Sequence, residues 1–572
     1  MDLRKTILIT CVFIASFSGA LSAKTHFIDS RPLTNVVNTR VGEVNVRGTI
    51  QVPLITWGAD IRTIYANGNQ QKTAKGSIFS QSGLNLLLKR EDIFTRQLQN
   101  YISGKTPYLR GTLGMMVMSS DLLNRDPRTR PVIIYQLSES AGGDALVVKK
   151  GIRKPADLRG KTIVVQAYGP HVDYLAKILN DANLTVNDVN IKWVADLTGT
   201  DNSPMNAFYD KNVDAVMVIT PDALALTSGG NIGTGSEGSV SGARILLSTK
   251  TANRIIADVY AVRSDYFKSN RNQVNQFVRG LMLAQKEVTD IFKQRNNKRT
   301  QYQALISSSA KILLDSAQAT GDTEAMYLDA RHMTVSDNNR FFTHKNNPRR
   351  FQRRLREISV SFKKLGLIKG NTNMQHASWD YGRMGAGIGS INTSRAQFDQ
   401  RKLATTIARK QQQGSLQDGE IFSFEVFFKP NQKIFSADLY SQSFDKVIDL
   451  AATYGGAVIT VEGHSDPLGY LKRKKAGASN LILRRLKQSA KNLSLTRATA
   501  VRNSIINYAK NRNITLDSSQ FAIVGHGINS PKTGICGQDP CAPRTEREWR
   551  DNMRVKFRII QLEAESDVFK PL

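Results

Sequence analysis

Along residues 50 to 390, short runs of β-branched and aliphatic side chains alternate with amphipathic stretches. Strands are expected at Leu113–Met118, Val132–Gln136, Ala145–Lys149, Thr162–Gln166, Asn190–Val194 and Ala215–Ile219, with helical spacing between them, as over Val172–Asn183. Strands alternating with helices predict parallel α/β sheets. Arg349–Lys364 places Phe351, Leu355, Ile358 and Phe362 on one face, the pattern of a basic amphipathic helix. From about 389 to 419 Gly, Ser, Asn and Gln dominate, which predicts a linker, helical in part between Arg395 and Gln413. A second unit opens near Glu420. Its pattern reads strand (Phe424–Phe428), helix (Leu439–Tyr454), strand (Ala457–Glu462), helix (Leu493–Asn511), strand (Phe521–Gly525), long loop and strand (Arg554–Ile560). The expected organisation is therefore a unit over 24–390, a linker over 391–419 and a smaller α+β domain over 420–565.

Composition narrows the class. The chain has 572 residues, 40% of them hydrophobic, and a mean hydropathy of -0.32. That excludes a wholly disordered chain and a polytopic membrane protein. Lys and Arg number 79 against 48 Asp and Glu, a net charge of +31. Such an excess implies an anionic partner or neighbourhood, either nucleic acid or an envelope of phosphate and carboxylate polymers. The first residues choose between them. Arg4 and Lys5 precede an apolar run from Ile7 to Phe17 and a small-residue exit, Ser18 to Ala23. This predicts a cleaved secretory signal peptide over 1–23, the alternative being a retained anchor. The run is shorter than the roughly 20 apolar residues of a spanning helix. Cys11, preceded by Thr10, lacks a lipoprotein setting. Export makes nucleic acid an unsuitable partner and leaves Cys536 and Cys541 in an oxidising compartment, where their Gly/Pro-rich spacing favours a disulfide. A structural metal is the weaker reading, because no nearby His joins them.

Three segments in order carry a resemblance. Arg153-Lys154-Pro155-Ala156-Asp157-Leu158-Arg159-Gly160-Lys161 leads into the strand Thr162–Gln166; Val213-Asp214-Ala215 opens another strand; Ala377-Ser378-Trp379-Asp380-Tyr381 follows later. Together they resemble the type II periplasmic solute-binding proteins of ABC transporters, over about residues 50–390. The resemblance implies two α/β lobes with ligand in the cleft, and crossovers near Asp144–Lys149 and Ile255–Arg263. Ligands in such sheets bind outside the carboxyl ends of strands. The candidate solute residues are therefore Asp60, Ser80, Gln81, Arg110 and Thr112 in the first lobe, and Gln166, Tyr168, Gly169, His171, Thr198, Asp201 and Asp222 in the second. The helix start after Gly169-Pro170 would offer free N–H groups to an anion.

The second unit carries a sharper pattern. Glu462-Gly463-His464-Ser465-Asp466, Leu493-Ser494-Leu495-Thr496-Arg497-Ala498, Val524-Gly525-His526-Gly527 and Asn552-Met553-Arg554-Val555 occur in order. They resemble the C-terminal peptidoglycan-binding domain of outer-membrane protein A and its relatives. The resemblance implies that Asp466 meets the ammonium and Arg497 the carboxylate of a diaminopimelate side chain, a pairing suited to Arg's planar fork. The chain departs from the pattern at Ala490, where the family has Asn, and in a basic segment, 467–492, that contains no acidic residue.

With no Gly-x-Ser-x-Gly elbow, Walker loop or His-Glu-x-x-His, and only seven His, the sequence points away from an enzyme, a metal or a cofactor. The expected protein is a periplasmic, wall-associated binder of a small polar or anionic solute, serving an ABC permease and held to peptidoglycan. The rival expectation is a structural envelope linker whose two-lobed unit docks a protein.

Overall fold

The structure, a computed structural model, describes residues 24–561 apart from 46–47, 237, 371, 389–397, 417–418, 429–439 and 515. The expected signal segment lies outside the described residues. In the first lobe β1 (Ile50–Leu54) and β2 (Leu86–Arg90) pair in parallel. They are followed by β3 (Tyr108–Thr112), helix α1 (Leu113–Met118) and the long β4 (Pro131–Ser140). The apolar run Leu113–Met118, expected as a strand, is thus a helix. The Thr112 hydroxyl accepts the Met115 N–H and caps it, and all six residues are buried, so the run has no polar face to reveal its period.

The second lobe holds β5 (Asp144–Val148), β6 (Thr162–Gln166), helix α2 (His171–Asp181), β7 (Asn190–Val194), β8 (Ala215–Ile219) and β9 (Arg244–Ser248). Its strand order is β7-β6-β8-β5-β9, with β6 parallel to both neighbours. β10 (Ala257–Arg263) then returns to the first lobe and lies antiparallel between β3 and β4. β11 (Ala330–His332) and β12 (Gln375–His376) extend that sheet from β4.

The chain therefore crosses between lobes just before β5 and just before β10. The crossovers expected at Asp144–Lys149 and Ile255–Arg263 fall largely on the strands themselves. Thr249 ties the two crossings: its Oγ1 accepts the N–H groups of Gly142 and Asp144, both at 3.1 Å, and lies 2.9 Å from Ser140 Oγ. A side chain at Gly143 would collide with the Trp57 ring, which explains the small residue there. Residues 24–45 strap the lobes from outside, bridging Ile28 to Trp193 in the second lobe and Gly42 to Ile102 in the first.

Helix α3 (Phe351–Lys364) buries Phe351, Arg354, Leu355 and Phe362 and contacts both α1 and α2, one from each lobe. The helical part expected within the linker, between Arg395 and Gln413, is helix α4 (Gln400–Gln412). Leu403 and Ile407 of α4 pack with Phe398 and Leu416 on Val458, Ala522, Val524 and Ile560. These last four belong to a four-stranded sheet of β13 (Glu420–Phe427), β14 (Val458–His464), β15 (Phe521–Gly527) and β16 (Arg554–Ile560), ordered β13-β16-β14-β15. Its other face is covered by helix α5 (Ser441–Thr453) and by the end of a 32-residue helix, α7 (Asn480–Asn511), which follows the short α6 (Leu468–Lys475). The Cys536–Cys541 disulfide closes the loop before β16.

The C-terminal domain is docked against the two-lobed unit. Asp449 of α5 receives Lys177 of α2 and Arg353 of α3, each at 3.0 Å. The Tyr454 hydroxyl donates to Asp181 at 2.9 Å, and the Gly456 N–H donates to the Thr251 carbonyl at 3.1 Å.

The first-lobe core encloses an ionic triad. Arg110 lies 2.9 Å from Asp60 and 3.1 Å from Asp258, and the Arg110 and Asp60 side chains are fully buried. Burial pushes Asp60 up to about 6, with Arg110 opposing it. Removing the cation would strand two buried carboxyls, at about 3–5 kcal/mol. Arg110→Met is thus expected to lower the unfolding free energy obtained from urea denaturation by that amount, and a value equal to the wild type's would refute the role given to the triad.

Candidate functional site

The candidate solute residues do not converge on one cleft. Asp60 and Arg110 neutralise each other in the core, and Thr112 is used as a helix cap. Ser80 and Gln81 lie on a short helix, Ile78–Gln81, whose Phe79 stacks on Phe277 at 5.3 Å; the Gln81 amide donates to Gly76 O. Asp201 is exposed. In the second lobe Gln166 donates to Ala195 O at 3.4 Å. Beside Gly169, Tyr168 adopts φ +61° and its hydroxyl donates to the Arg31 carbonyl of the strap at 2.7 Å.

His171, Thr198 and Asp222 do gather. His171 Nε2 lies 2.7 Å from Asp144 at the first crossover, and Thr198 Oγ1 donates to Asp222 at 3.0 Å. Burial raises the Asp222 pKa, with the Thr198 hydrogen bond and His171 opposing it. This end of the second lobe is acidic, which does not suit the anion expected at the start of α2.

A cavity of about 300 Å³ lies nearby, between α2, the second crossover and α3; Asp173, Lys177, Ile255, Arg349, Arg354 and Glu357 are among its lining. Two of its charged side chains have buried atoms without hydrogen bonds. Both Asp173 carboxylate oxygens and Arg354 Nε and Nη1 are buried without a hydrogen bond. Arg354 Nη2 is engaged, meeting Glu139 and, at 2.6 Å, the Arg254 carbonyl. Burial pushes Asp173 up to about 7 against the pull of Arg354, and burial brings Arg354 down to about 10. Gly114 of α1 closes the other side: a Cβ there would stand 2.8 Å from Asp173 Cγ, so only glycine lets the two lobes meet at this point.

Neither residue was among the sequence candidates. Arg354 did leave a signal, because it falls within the apolar stripe of Phe351, Leu355, Ile358 and Phe362, where an unpaired charge is costly. Asp173 left none, since its neighbours on α2 are buried on every side but one.

In the C-terminal domain, Asp466 and Arg497 sit at the same end of the sheet. Asp466 follows β14; the Leu468 N–H donates to its Oδ2 at 2.9 Å, while Oδ1 is buried without a partner. Burial raises its pKa, and Trp549 and Asn552 lie beside it. The buried Arg497 guanidinium stands 5.5 Å over the Phe428 ring, and burial lowers its pKa. The Phe428 N–H donates to the Met553 carbonyl at 2.8 Å, which joins the surroundings of the two charges. On the other face, Glu462, His464 and His526 hold possible metal-ligand atoms within 4.8 Å of one another. Arg558 already engages both Glu462 oxygens, at 2.8 and 3.2 Å, and His526 Nε2 lies 3.1 Å from the second, so the carboxylate is committed to ion pairs, while His464 Nε2 is buried without a hydrogen bond.

Comparison with known proteins places residues 114–290 in a match to the family model described as NMT1/THI5 like. No curated protein matches the chain. Among solved structures, the chain is similar to the periplasmic aliphatic sulphonate binding protein SsuA from Escherichia coli, with 14% identity, TM-score 0.39 and coverage of 57% of this chain and 90% of that one. It is similar also to the alkanesulfonate-binding protein SsuA from Xanthomonas axonopodis pv. citri bound to MOPS, with 15% identity, TM-score 0.38 and coverage of 58% and 100%. A third is a putative sulfonate ABC transporter periplasmic sulfonate-binding protein SsuA from Methylobacillus flagellatus, with 12% identity, TM-score 0.41 and coverage of 60% and 95%.

The buried carboxyl gives a pH signature. Asp173 titrates at about 7 in the folded chain against 3.8 ordinarily, so between those values only the folded state keeps the proton. Stability is then lost as pH rises through that window. Asp173→Asn is expected to be more stable than wild type by about 2–4 kcal/mol at pH 8, the gain vanishing near pH 4. Urea unfolding at both pH values checks this, and an equal difference at the two would refute it.

Proposed function

We propose that this chain is an exported solute-binding protein of the ABC-importer type, anchored non-covalently to peptidoglycan by its C-terminal domain. The observation that carries the solute-binding half is the cavity at the meeting of the lobes, with Asp173 and Arg354 buried and unsatisfied. The NMT1/THI5-like match over 114–290 spans Asp173 and both crossovers and supports the same reading. A pure anion would leave Asp173 opposed, and a pure cation would leave Arg354 Nε and Nη1 bare. A small zwitterion satisfies both, so the solute class is a compact molecule with one charge of each sign. The Ile255 and Ile358 side chains offer its carbon skeleton an apolar wall.

The wall-binding half rests on Asp466, half-buried, and Arg497, buried, standing at one end of the sheet, where an ammonium and a carboxylate on one small side chain could be held together. Each charge-assisted bond is worth roughly 1.5–3 kcal/mol, about 10- to 150-fold in affinity. One observation favours the rival structural role: α3 contacts both lobes, and the docked domain adds contacts beside the crossovers. An assembly so braced would resist the hinge opening that solute exchange requires.

Two experiments on the full chain separate these readings. Retention on insoluble peptidoglycan is expected for the wild type and to fall at least tenfold in Asp466→Ala and in Arg497→Ala; equal retention of all three would remove the pocket from the explanation. Calorimetric titration with glycine, taurine and betaine is expected to show binding that Asp173→Asn weakens at least tenfold. Binding only of phosphate or methanesulfonate would replace the zwitterion class with an anion. No uptake of any of these would move the first unit to the docking role.

A further inference from the structure

The basic segment 467–492, which neither binding site uses, forms a helical hairpin. Helix α6 and the first turns of α7 run side by side, joined through Ala476–Ser479. The hairpin has a small core of its own, Tyr470 and Leu483 against Ile528. Its base is tied to the disulfide loop: the Tyr470 hydroxyl donates to Asp539 at 2.9 Å, and Lys474 pairs with the same carboxylate.

Away from that base the hairpin presents cations and aliphatic groups together. Lys472, Arg473, Lys475, Arg484 and Arg485 are all exposed, and no acidic residue occurs between 467 and 492. Leu481 and Ile482, in the first turn of α7, are 54% and 47% exposed. Two adjacent large aliphatic side chains left in water beside so many cations are not explained by the domain's own packing. A soluble polyanion would engage the charges and leave the aliphatics wet. An anionic bilayer surface takes up both, the cations at the headgroups and the aliphatics at the acyl boundary.

We propose that the α6–α7 hairpin is a docking surface for an anionic phospholipid bilayer, with Leu481 and Ile482 entering the interface and the surrounding Lys and Arg binding the headgroups. The hairpin leaves the sheet immediately after Asp466, so the same domain edge would face a membrane and carry the wall pocket. The surface does not depend on the wall-binding reading.

The test is flotation of the full chain with vesicles of phosphatidylcholine alone and of phosphatidylcholine with 30% phosphatidylglycerol, a proportion of about one third that supplies a negative surface potential. Binding is expected to the anionic vesicles and not to the neutral ones. It should fall at least tenfold both in Leu481→Ser/Ile482→Ser and in Arg484→Gln/Arg485→Gln. All four positions are exposed, so unchanged thermal unfolding serves as the folding control. Absence of binding to anionic vesicles would overturn the proposal. So would binding unaffected by the serine pair and abolished by added polyphosphate, which would make the hairpin a site for soluble polyanions.

Discussion

Arg110 and Asp258 meet only because the chain leaves the first lobe along β4, builds the second lobe and returns as β10 in the gap between β3 and β4. Arg110 lies on β3, Asp258 on the returning strand and Asp60 at the start of a helix near β1. Burying one guanidinium between two carboxylates is tolerable only when all three arrive, since any one missing leaves an uncompensated charge in the core. The Ser138 hydroxyl donates to the second Asp258 oxygen at 2.7 Å and accepts the Trp57 indole N–H at 3.0 Å. Trp57 in turn lies against Gly143 in the first crossover. The return of β10, the triad and the placement of the crossovers are therefore one connected arrangement, and the relative position of the lobes follows from it.

The same logic recurs where the domains meet. Asp449 is mostly buried; burial opposes its ionisation, yet Lys177, Arg349 and Arg353 hold its carboxyl below the usual range. Lys177 is shared with Asp181, which also accepts the Tyr454 hydroxyl. At this junction one carboxylate, Asp449, is thus held by several cations. The cavity lies against this network on α2 and α3, and Asp173 is the acid there whose oxygens have no hydrogen-bond partner. That orphaned carboxyl is the observation on which the proposed solute site rests.

Much of the architecture was legible in advance. Strands such as Thr162–Gln166, Asn190–Val194 and Ala215–Ile219 end where the pattern placed them, because each is a short β-rich run with its own bounding residues, although the sheet they enter is mixed, with β5 antiparallel to β8 and β9. The helical character of Arg349–Lys364 also showed in its spacing, as did the cysteine pair in its short loop. Leu113–Met118 was misread because a segment buried all round has no polar face to display its period. Residues 400–412 looked like linker because their composition is polar, although Leu403 and Ile407 fill one face of the C-terminal sheet.

Local spacing and charge by themselves determined the alternation of elements and the basic character of the chain, and the family resemblance added Asp466 and Arg497 as a candidate pair of opposite charges. Charge also marked the acid-free stretch that becomes the hairpin. Only the tertiary structure decided which polar residues are spent on the fold and which remain unsatisfied. Asp60 and Arg110 had the right chemistry for a cleft but neutralise each other in the core, while Asp173 and Arg354, from helices far apart in sequence, share a cavity without hydrogen-bonding to each other. The reason is that a side chain's type is local, whereas its desolvation and its partners are set by segments hundreds of residues away.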